Sequence, residues 1–466
     1  MPVIFLTDAL IFLLIAMIVG FVFYARRYPH LRMPWSRVLR SRMAMVALVV
    51  LSVYSLIAVL DSLHYRPRLT TENADGGTQY SAEVLSVFDW LVTSLREREE
   101  KTYSAPFATH LYAKETVEVG GGAQRREFPR LRYGGSHLSD PATERGRDIF
   151  LTGLRGAAGG VALWMLLCIA FIGRGAIRAS RSFSAELRHI VRRDTTVPWI
   201  AILIAVGVII VVTMVAAKLG VKYHILGTDK VGKDVLYQAL KSIRTGLVIG
   251  TVTTLVMLPF AIVLGLMAGY FRGWVDDVIQ YVYTTLNSIP SVLLIAAAIL
   301  MLHIYMANHA DDFVSLSQRA DLRLLFLCLI LGVTSWTGLC RYLRGETLKI
   351  REVEYIQAAT AFGVSHSRIL FRHVLPNVMH IVTITVVLDF SGLVLAEAVL
   401  SYVNIGVDPT MDSWGNMINS ARLEMAREPV VWWSLTAALI FMFTLVLCAN
   451  LFSDAVRDAF DPRLRK

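Results

Sequence analysis

Residues 354–377 read Glu354-Tyr355-Ile356-Gln357-Ala358-Ala359-Thr360-Ala361-Phe362-Gly363-Val364-Ser365-His366-Ser367-Arg368-Ile369-Leu370-Phe371-Arg372-His373-Val374-Leu375-Pro376-Asn377. Residues 347–362 are good helix formers with no breaker. Gly363 can take the left-handed turn that ends a helix, Ser365 suits the N-cap of a second one, and Pro376 either stops that helix or opens the next. The stretch therefore predicts a short helix–turn–helix, in which Ala358 and Ala359 leave a small, smooth patch that another protein can approach closely. Its flanks decide the fold. Apolar runs at 323–342 and 378–400 lie on either side, and about 20 such residues cross a bilayer. The stretch is thus pinned to a membrane face, which argues against a DNA-reading helix–turn–helix. An interfacial amphipathic loop without a partner is the plainer alternative.

The whole chain agrees with its flanks. Of 466 residues, 55% are hydrophobic and 18% charged, against about 25% charged in soluble domains; mean hydropathy is +0.55. These values exclude a disordered chain, a fibre and an ordinary cytosolic enzyme. Nine candidate spans follow: 3–24, 43–62, 156–175, 197–217, 246–270, 278–302, 323–342, 378–400 and 431–453. The expected fold class is an all-α integral membrane protein, a polytopic helical bundle of about nine spans. The first apolar run has no basic residue ahead of it and Arg26 and Arg27 behind it, the reverse of a secretory signal. It reads as a retained span with its N-terminus outside and Asp8 near the outer end, within reach of water.

Orientation follows from basic loops, which stay cytoplasmic. Segments 25–42, 174–193 and 341–372 hold six Lys or Arg each, and the C-terminal tail adds Arg457, Arg463, Arg465 and Lys466. Nine spans place all of them inside, so the net charge of +10 marks the inner face and does not point to nucleic acid. One short loop disagrees. Segment 218–244 falls outside yet carries Lys218, Lys222, Lys230, Lys233, Lys241 and Arg244. Segment 63–155 is also outside, with Gly76–Gly77, Gly120–Gly122 and Gly134–Gly135 as turns and a single amphipathic helix expected over 82–101. The four cysteines lie in or beside apolar runs without a Cys-x-x-Cys pair, and His110 and His137 are isolated, so no metal site is expected.

The segment 357–376 resembles the loop, Glu-Ala-Ala, three residues, Gly, nine residues, Ile-x-Leu-Pro, of permease subunits in ABC importers. Here Gln357-Ala358-Ala359, Gly363 and His373-Val374-Leu375-Pro376 keep that spacing, with Gln357 for Glu and His373 for Ile. Both departures resemble the peptide-transporter branch (dipeptide, oligopeptide and nickel permeases, C-type subunit). Three further stretches are similar to the same subunits. They are Gly227-Thr228-Asp229-Lys230-Val231-Gly232-Lys233-Asp234, the run from Glu397 through Gly406 and Pro409 to Ser413-Trp414-Gly415, and Asp454 to Arg463. Thr284, six residues before Pro290, stands where the family often has Asp.

The resemblance implies a permease core over 218–466 with its coupling loop at 350–377. Within the N-terminal spans at 1–62, the basic entry and span at 36–62 share the resemblance; the span at 3–24, an extracytoplasmic insert at 63–155 and additional spans at 156–217 are left without a counterpart. It implies that Gln357, Ala358, Ala359, Gly363, His373, Leu375 and Pro376 dock on an ATPase subunit and transmit its closure. It also implies a second permease subunit, an extracytoplasmic solute-binding protein, and ATP with Mg²⁺ on the partner ATPases, with no cofactor in this chain. The location is a bacterial inner (plasma) membrane, multi-pass. Peptides lead as cargo; nickel or another small solute remains the alternative, and a secondary transporter or channel the rival class.

Gly227 to Lys233 also spells Gly-x-x-x-x-Gly-Lys, but Asp234 stands where a phosphate-binding loop needs a hydroxyl for Mg²⁺. The family reading makes residues Gly227, Thr228, Asp229, Gly232 and Asp234 a surface loop near the outer gate, meeting a binding protein or simply turning the chain. Asp389, deep in its span, either lines the path or meets the partner permease, or is satisfied at a helix interface. Glu397 is expected to be wet. Pro259 and Pro290 are expected to kink their spans, which places Asp389, Glu397 and Pro290 along a candidate translocation path.

Overall fold

The structure is a computed structural model and describes residues 1–27, 29–72, 78–119, 123–192, 196–309 and 315–460. Arg193, Gly76–Gly77, Gly120–Gly122 and the tail motif beyond Phe460, with Arg463, Arg465 and Lys466, lie outside them.

The chain opens with β1 (Pro2–Val3), α1 (Leu6–Arg27), α2 (Pro29–Val38) and α3 (Arg42–Asp61). The outer segment follows: β2 (His64–Tyr65), β3 (Arg68–Glu72), β4 (Thr78–Tyr80), β5 (Leu85–Ser86), α4 (Val87–Leu91), α5 (Thr93–Arg96), β6 (Glu115–Val119) and β7 (Ala123–Glu127). Antiparallel β1, β2 and β5 form one small sheet, while β3–β4 and β6–β7 are separate hairpins. The predicted helix over 82–101 is therefore corrected to a strand and two short helices. Ser86 closes a capping box with Asp89, which starts α4 five residues late by the apolar spacing.

Long helices build the rest: α6 (Pro141–Arg178), α7 (Phe183–Val191), α8 (Trp199–Gly220), α9 (Val235–Phe271), α10 (Gly273–Ser288), α11 (Ser291–Asn308) and α12 (Leu316–Arg351). The cytoplasmic stretch forms α13 (Glu354–Ala361) and α14 (His366–Ile369), and a π-helical turn (Leu370–Val374) joins α14 to α15 (Leu375–Tyr402). A short α16 (Trp414–Glu424) and α17 (Trp433–Phe460) complete the chain. Among the described residues eight helical stretches are long and apolar enough to cross a membrane, and α1 carries a shorter apolar run, Leu6–Gly20.

Eight of the nine expected spans coincide with single helices. The ninth, 278–302, is divided. Ile289 is extended (φ −88°, ψ 128°) ahead of Pro290, the conformation that a following proline imposes. Pro290 is thus corrected from a kink inside one span to the break between α10 and α11, whereas Pro259 lies inside α9. The central pair is α9 against α12. A Cβ on Gly265 would lie 2.9 Å from the Cys340 carbonyl oxygen, and one on Gly269 2.7 Å from that of Arg344, so these glycines let two backbones touch. Around them Met257, Leu266, Trp336, Leu339 and Leu343 form a buried core that continues into the cytoplasmic stretch through Ile356, Ile369 and Val374.

Candidate functional site

At the cytoplasmic end α12 gives way to α13, an eight-residue helix with one buried side chain, Ile356, 1% exposed. Ile356 enters the α9–α12 core, and Ala359 and Val364 pack beside it. The opposite face is open: Gln357 and Ala358 are exposed and Phe362 is 87% exposed. Gly363 ends the helix with φ +76°. Its N–H donates to the Thr360 carbonyl at 3.0 Å, and Val364 N–H donates to that of Ala359 at 3.1 Å. These are the two bonds of a Schellman cap. No atom lies within 4 Å of where a Gly363 Cβ would stand, so the requirement is conformational only. Ser365 precedes α14 without a side-chain cap bond.

The second half of the motif straps α13 down. The π-helical turn offsets the carbonyl of His373, and Asn377 Nδ2 donates to it at 2.6 Å and to the Tyr355 hydroxyl at 3.0 Å. The half-buried His373 ring lies 6.3 Å from the Tyr355 ring. Leu375 packs on the core, and Pro376 sits in the first turn of α15, where a missing N–H costs least. Tyr270 pairs with His366 Nδ1 at 2.9 Å. Arg272 reaches Glu352 at 2.5 Å, and Arg344 makes a bidentate pair with Asp276 at 2.6 and 2.7 Å. The outcome is a helix held from behind by one isoleucine and a ring of polar ties, with a small-residue and aromatic face left open.

The outer motif spans residues 227–234. Gly227 has φ +72° and Gly232 φ +81°, and a Cβ on Gly232 would stand 1.7 Å from the Glu100 carbonyl oxygen. Thr228 is fully buried; its hydroxyl donates to Thr102 O at 2.8 Å and accepts Ser104 N–H at 2.7 Å. Asp229 accepts the N–H groups of Val231 and Lys233 at 2.9 Å. Asp234 caps α9 through Leu236 and Tyr237 N–H. Of residues 227–234, Lys230, Val231 and Lys233 are at the surface, and Gly227 and Gly232 turn the chain, one of the two expected readings. The outer segment of the same chain, at Glu100–Ser104, lies on the motif.

A buried triad clasps the two. His224 Nδ1 is 2.8 Å from Asp234, and its Nε2 is 3.4 Å from Glu100. Glu100 also accepts N–H bonds from Arg132, Tyr133 and Gly134 at 2.8–3.2 Å. Burial alone would lower the His224 pKa, but its hydrogen bonds to Asp234 and Glu100 outweigh burial and raise it to about 9. Burial would raise that of Glu100; the bond from His224 and the backbone donors lower it to about 2. Tyr103, by contrast, is pushed up to about 12 by burial and by the neighbouring Glu424 carboxylate.

The conflicting cations of 218–244 find their answer here. Lys222 pairs with Asp148 at 2.7 Å. Lys241 pairs with Asp61 at 3.2 Å and Asp89 at 2.6 Å, and Arg244 with Asp8 at 2.6 Å. Half of the loop's six cations are thus matched by carboxylates from the preceding spans and the outer segment. Asp8, expected in water, is instead 0% exposed and is also 2.8 Å from His64, while Thr7 bonds Asp321 through its hydroxyl. No spacing in the sequence links these residues; charges clustered at the outer span ends were the only available signal.

Asp389 is half-buried and has no hydrogen-bond or ion-pair partner among the described residues. It borders an α15 face on which Leu388, Leu395, Val399 and Tyr402 are exposed. Glu397 is corrected: it is 2% exposed, accepts the Ser401 hydroxyl at 2.7 Å, and lies where a Cβ on Gly415 would be 2.7 Å away. It anchors α16 to α15 and is not wet. Glu100 and His224 are site residues that the sequence did not single out; Asp8 and Arg244 were named there, but not as partners.

Residues 261–466 match the family described as binding-protein-dependent transport system inner membrane component. The chain is 34% identical over 242 residues to the oligopeptide transport system permease protein OppC of Mycobacterium tuberculosis, covering 52% of this chain and 77% of that protein. It is 31% identical to the glutathione transport system permease protein GsiD of Pectobacterium atrosepticum, covering 52% and 73%. With the dipeptide transport system permease protein DppC of Lactococcus lactis the identity is 28%, covering 52% and 64%.

Proposed function

The chain belongs to the binding-protein-dependent transport permeases of the peptide-type ABC importers, multi-pass proteins of the inner membrane, and from that premise we propose that it forms one transmembrane half of an ATP-driven importer of di- or oligopeptides. The observation that carries the reading is α13, with Ile356 fastened into the core and Gln357, Ala358 and Phe362 presented outward. A partner ATPase receives that face. ATP and Mg²⁺ act on the partner, and closure of two ATPase subunits moves α13 as a unit with α12 and α15, because the Ile356 contact and the Asn377 strap tie it to both.

A second permease subunit supplies the other wall of the path, with Asp389 and the exposed α15 face turned toward it and the Pro290 break serving as a hinge. An extracytoplasmic binding protein delivers the peptide, and it meets the outer segment before it meets residues 227–234. The permease core is taken as 218–466 together with the span at 43–62 of the N-terminal segment 1–62, with 3–24, 63–155 and 156–217 as additions to it.

The test is co-purification of the chain with the ATPases, second permease and binding protein encoded beside it, followed by peptide-stimulated ATP hydrolysis in proteoliposomes. Gly363→Val forces a β-branched side chain into a left-handed conformation at a cost of about 1–2 kcal/mol. Stimulation is expected to collapse while membrane insertion and yield persist. Absence of any co-purifying ATPase, or full stimulation in the variant, would remove the coupling assignment.

A further inference from the structure

A cavity of about 570 Å³ opens at the cytoplasmic end of the added spans, between the start of α3, α7 and the start of α8. Two arginines, Arg40 and Arg42, stand on one side; Ile190, Val197, Trp199 and Ile204 line the other. Neither guanidinium has an ion-pair or hydrogen-bond partner among the described residues, and the first turn of α8 contains no acidic residue. The neighbouring cavity shows the contrast. There Arg37 shares a cavity of about 470 Å³ with the acidic side chains Asp454 and Asp458, whereas the described lining of the first cavity holds no carboxylate.

The depth of the cavity is fixed by what surrounds it. Trp199 packs on Phe171 with ring centroids 4.8 Å apart, an aromatic pair at the end of two apolar helices, as is common at the membrane interface. Helix α7 carries exposed Phe183, Leu187 and Val191 four residues apart on one face, with Arg188 and Arg192 nearby. This is the pattern of a helix lying on a bilayer with its apolar side in the acyl boundary. Paired arginines over an apolar, aromatic wall at that depth fit a phosphate attached to hydrocarbon chains: the guanidiniums take the phosphate oxygens, and Ile204, 56% exposed on α8, continues the wall toward the bilayer core.

We propose that this cavity is a binding site for the headgroup of an anionic phospholipid, which fastens the added hairpin of α6 and α8 to α3. Along α8 the buried residues are Gly207, Leu219 and Gly220, and α8 packs directly on α3, so a headgroup there adds to an existing contact. A basic pocket between spans on the cytoplasmic side is a recurrent way to hold such lipids.

The experiment is native mass spectrometry of the full chain in detergent, offered equal amounts of phosphatidylglycerol and phosphatidylcholine. Two arginines near the surface correspond to a preference for the anionic lipid of about 30-fold. In Arg40→Gln/Arg42→Gln the preference is expected to fall to near unity, and in Arg37→Gln to stay. Ala201→Trp, which fills the cavity and keeps both arginines, is expected to abolish retention as well; it and the wild-type competition keep the question decidable if the double variant is unstable. Equal retention of the two lipids, or equal loss in Arg37→Gln, overturns the proposal. Displacement by millimolar inorganic phosphate without any lipid preference assigns the arginines to a soluble phosphate and likewise overturns it.

Discussion

Replacing His224 by glutamine keeps a polar side chain between Glu100 and Asp234 but removes the positive charge that both carboxylates face. The clasp between the outer segment and residues 227–234 should loosen, and its dependence on pH should vanish. The sign follows from the shift. His224 is raised from 6.5 to about 9, so its contribution is complete below pH 6.5 and is lost as pH rises through about 9. At 1.36 kcal/mol per pH unit this amounts to about 3 kcal/mol, shared with Glu100 and Asp234 and not to be added to theirs. Glu100 acts in the opposite range. Lowered from 4.5 to about 2, it contributes above pH 4.5 and its part is lost as pH falls through about 2. The clasp is thus strongest from about pH 4.5 to 6.5.

The assay is hydrogen exchange of the Ser104, Tyr133 and Gly134 amides, which bond to Thr228 and Glu100, corrected for the intrinsic rate. Between pH 6.5 and 9 their protection is expected to fall by up to about tenfold per pH unit, while amides around Leu339 in the core hold theirs. In His224→Gln protection starts low and stays flat across the window. Constant protection from pH 6.5 to 9 in the wild type, or an equal slope in the variant, would refute the reasoning.

Two further outcomes are expected. Ile356→Ala removes the one buried side chain of α13 and should cost about 2–5 kcal/mol locally, seen as lost ATPase capture with an unchanged elution profile; Ile356→Val should cost about 0.5–1.5 kcal/mol and leave capture intact. Arg244→Leu strips Asp8 of its cation and leaves Asp321 beside it without one, a loss of about 3–5 kcal/mol that should appear in thermal unfolding of the purified protein, with Asp8→Asn restoring part of it. An unchanged midpoint would show that the cluster is hydrated and not structural.

The division of labour between sequence and fold follows the range of the interactions. Span positions and the helix–turn–helix at 354–377 were legible because each rests on local chemistry: an apolar run of bilayer length, a glycine that accepts positive φ. The break at Pro290 was legible only as a kink, since one proline allows both and packing selects. The same range limit hid the site residues. Glu100 and His224 are 124 positions apart and Asp8 and Arg244 are 236 apart, so nothing in the chain order announces either pair.

The sequence by itself therefore determined that this is a membrane permease with a helix–turn–helix at 354–377, because hydrophobic length and local turn geometry are written residue by residue. Only the tertiary structure decided what the outer motif and its misplaced cations do. Burying Thr228, Lys241 and Arg244 requires partners for each, and those partners come chiefly from residues 1–155: Thr102 and Ser104, Asp61 and Asp89, and Asp8. The segment after α3 thereby covers Thr228 and supplies carboxylates to Lys222 and Lys241.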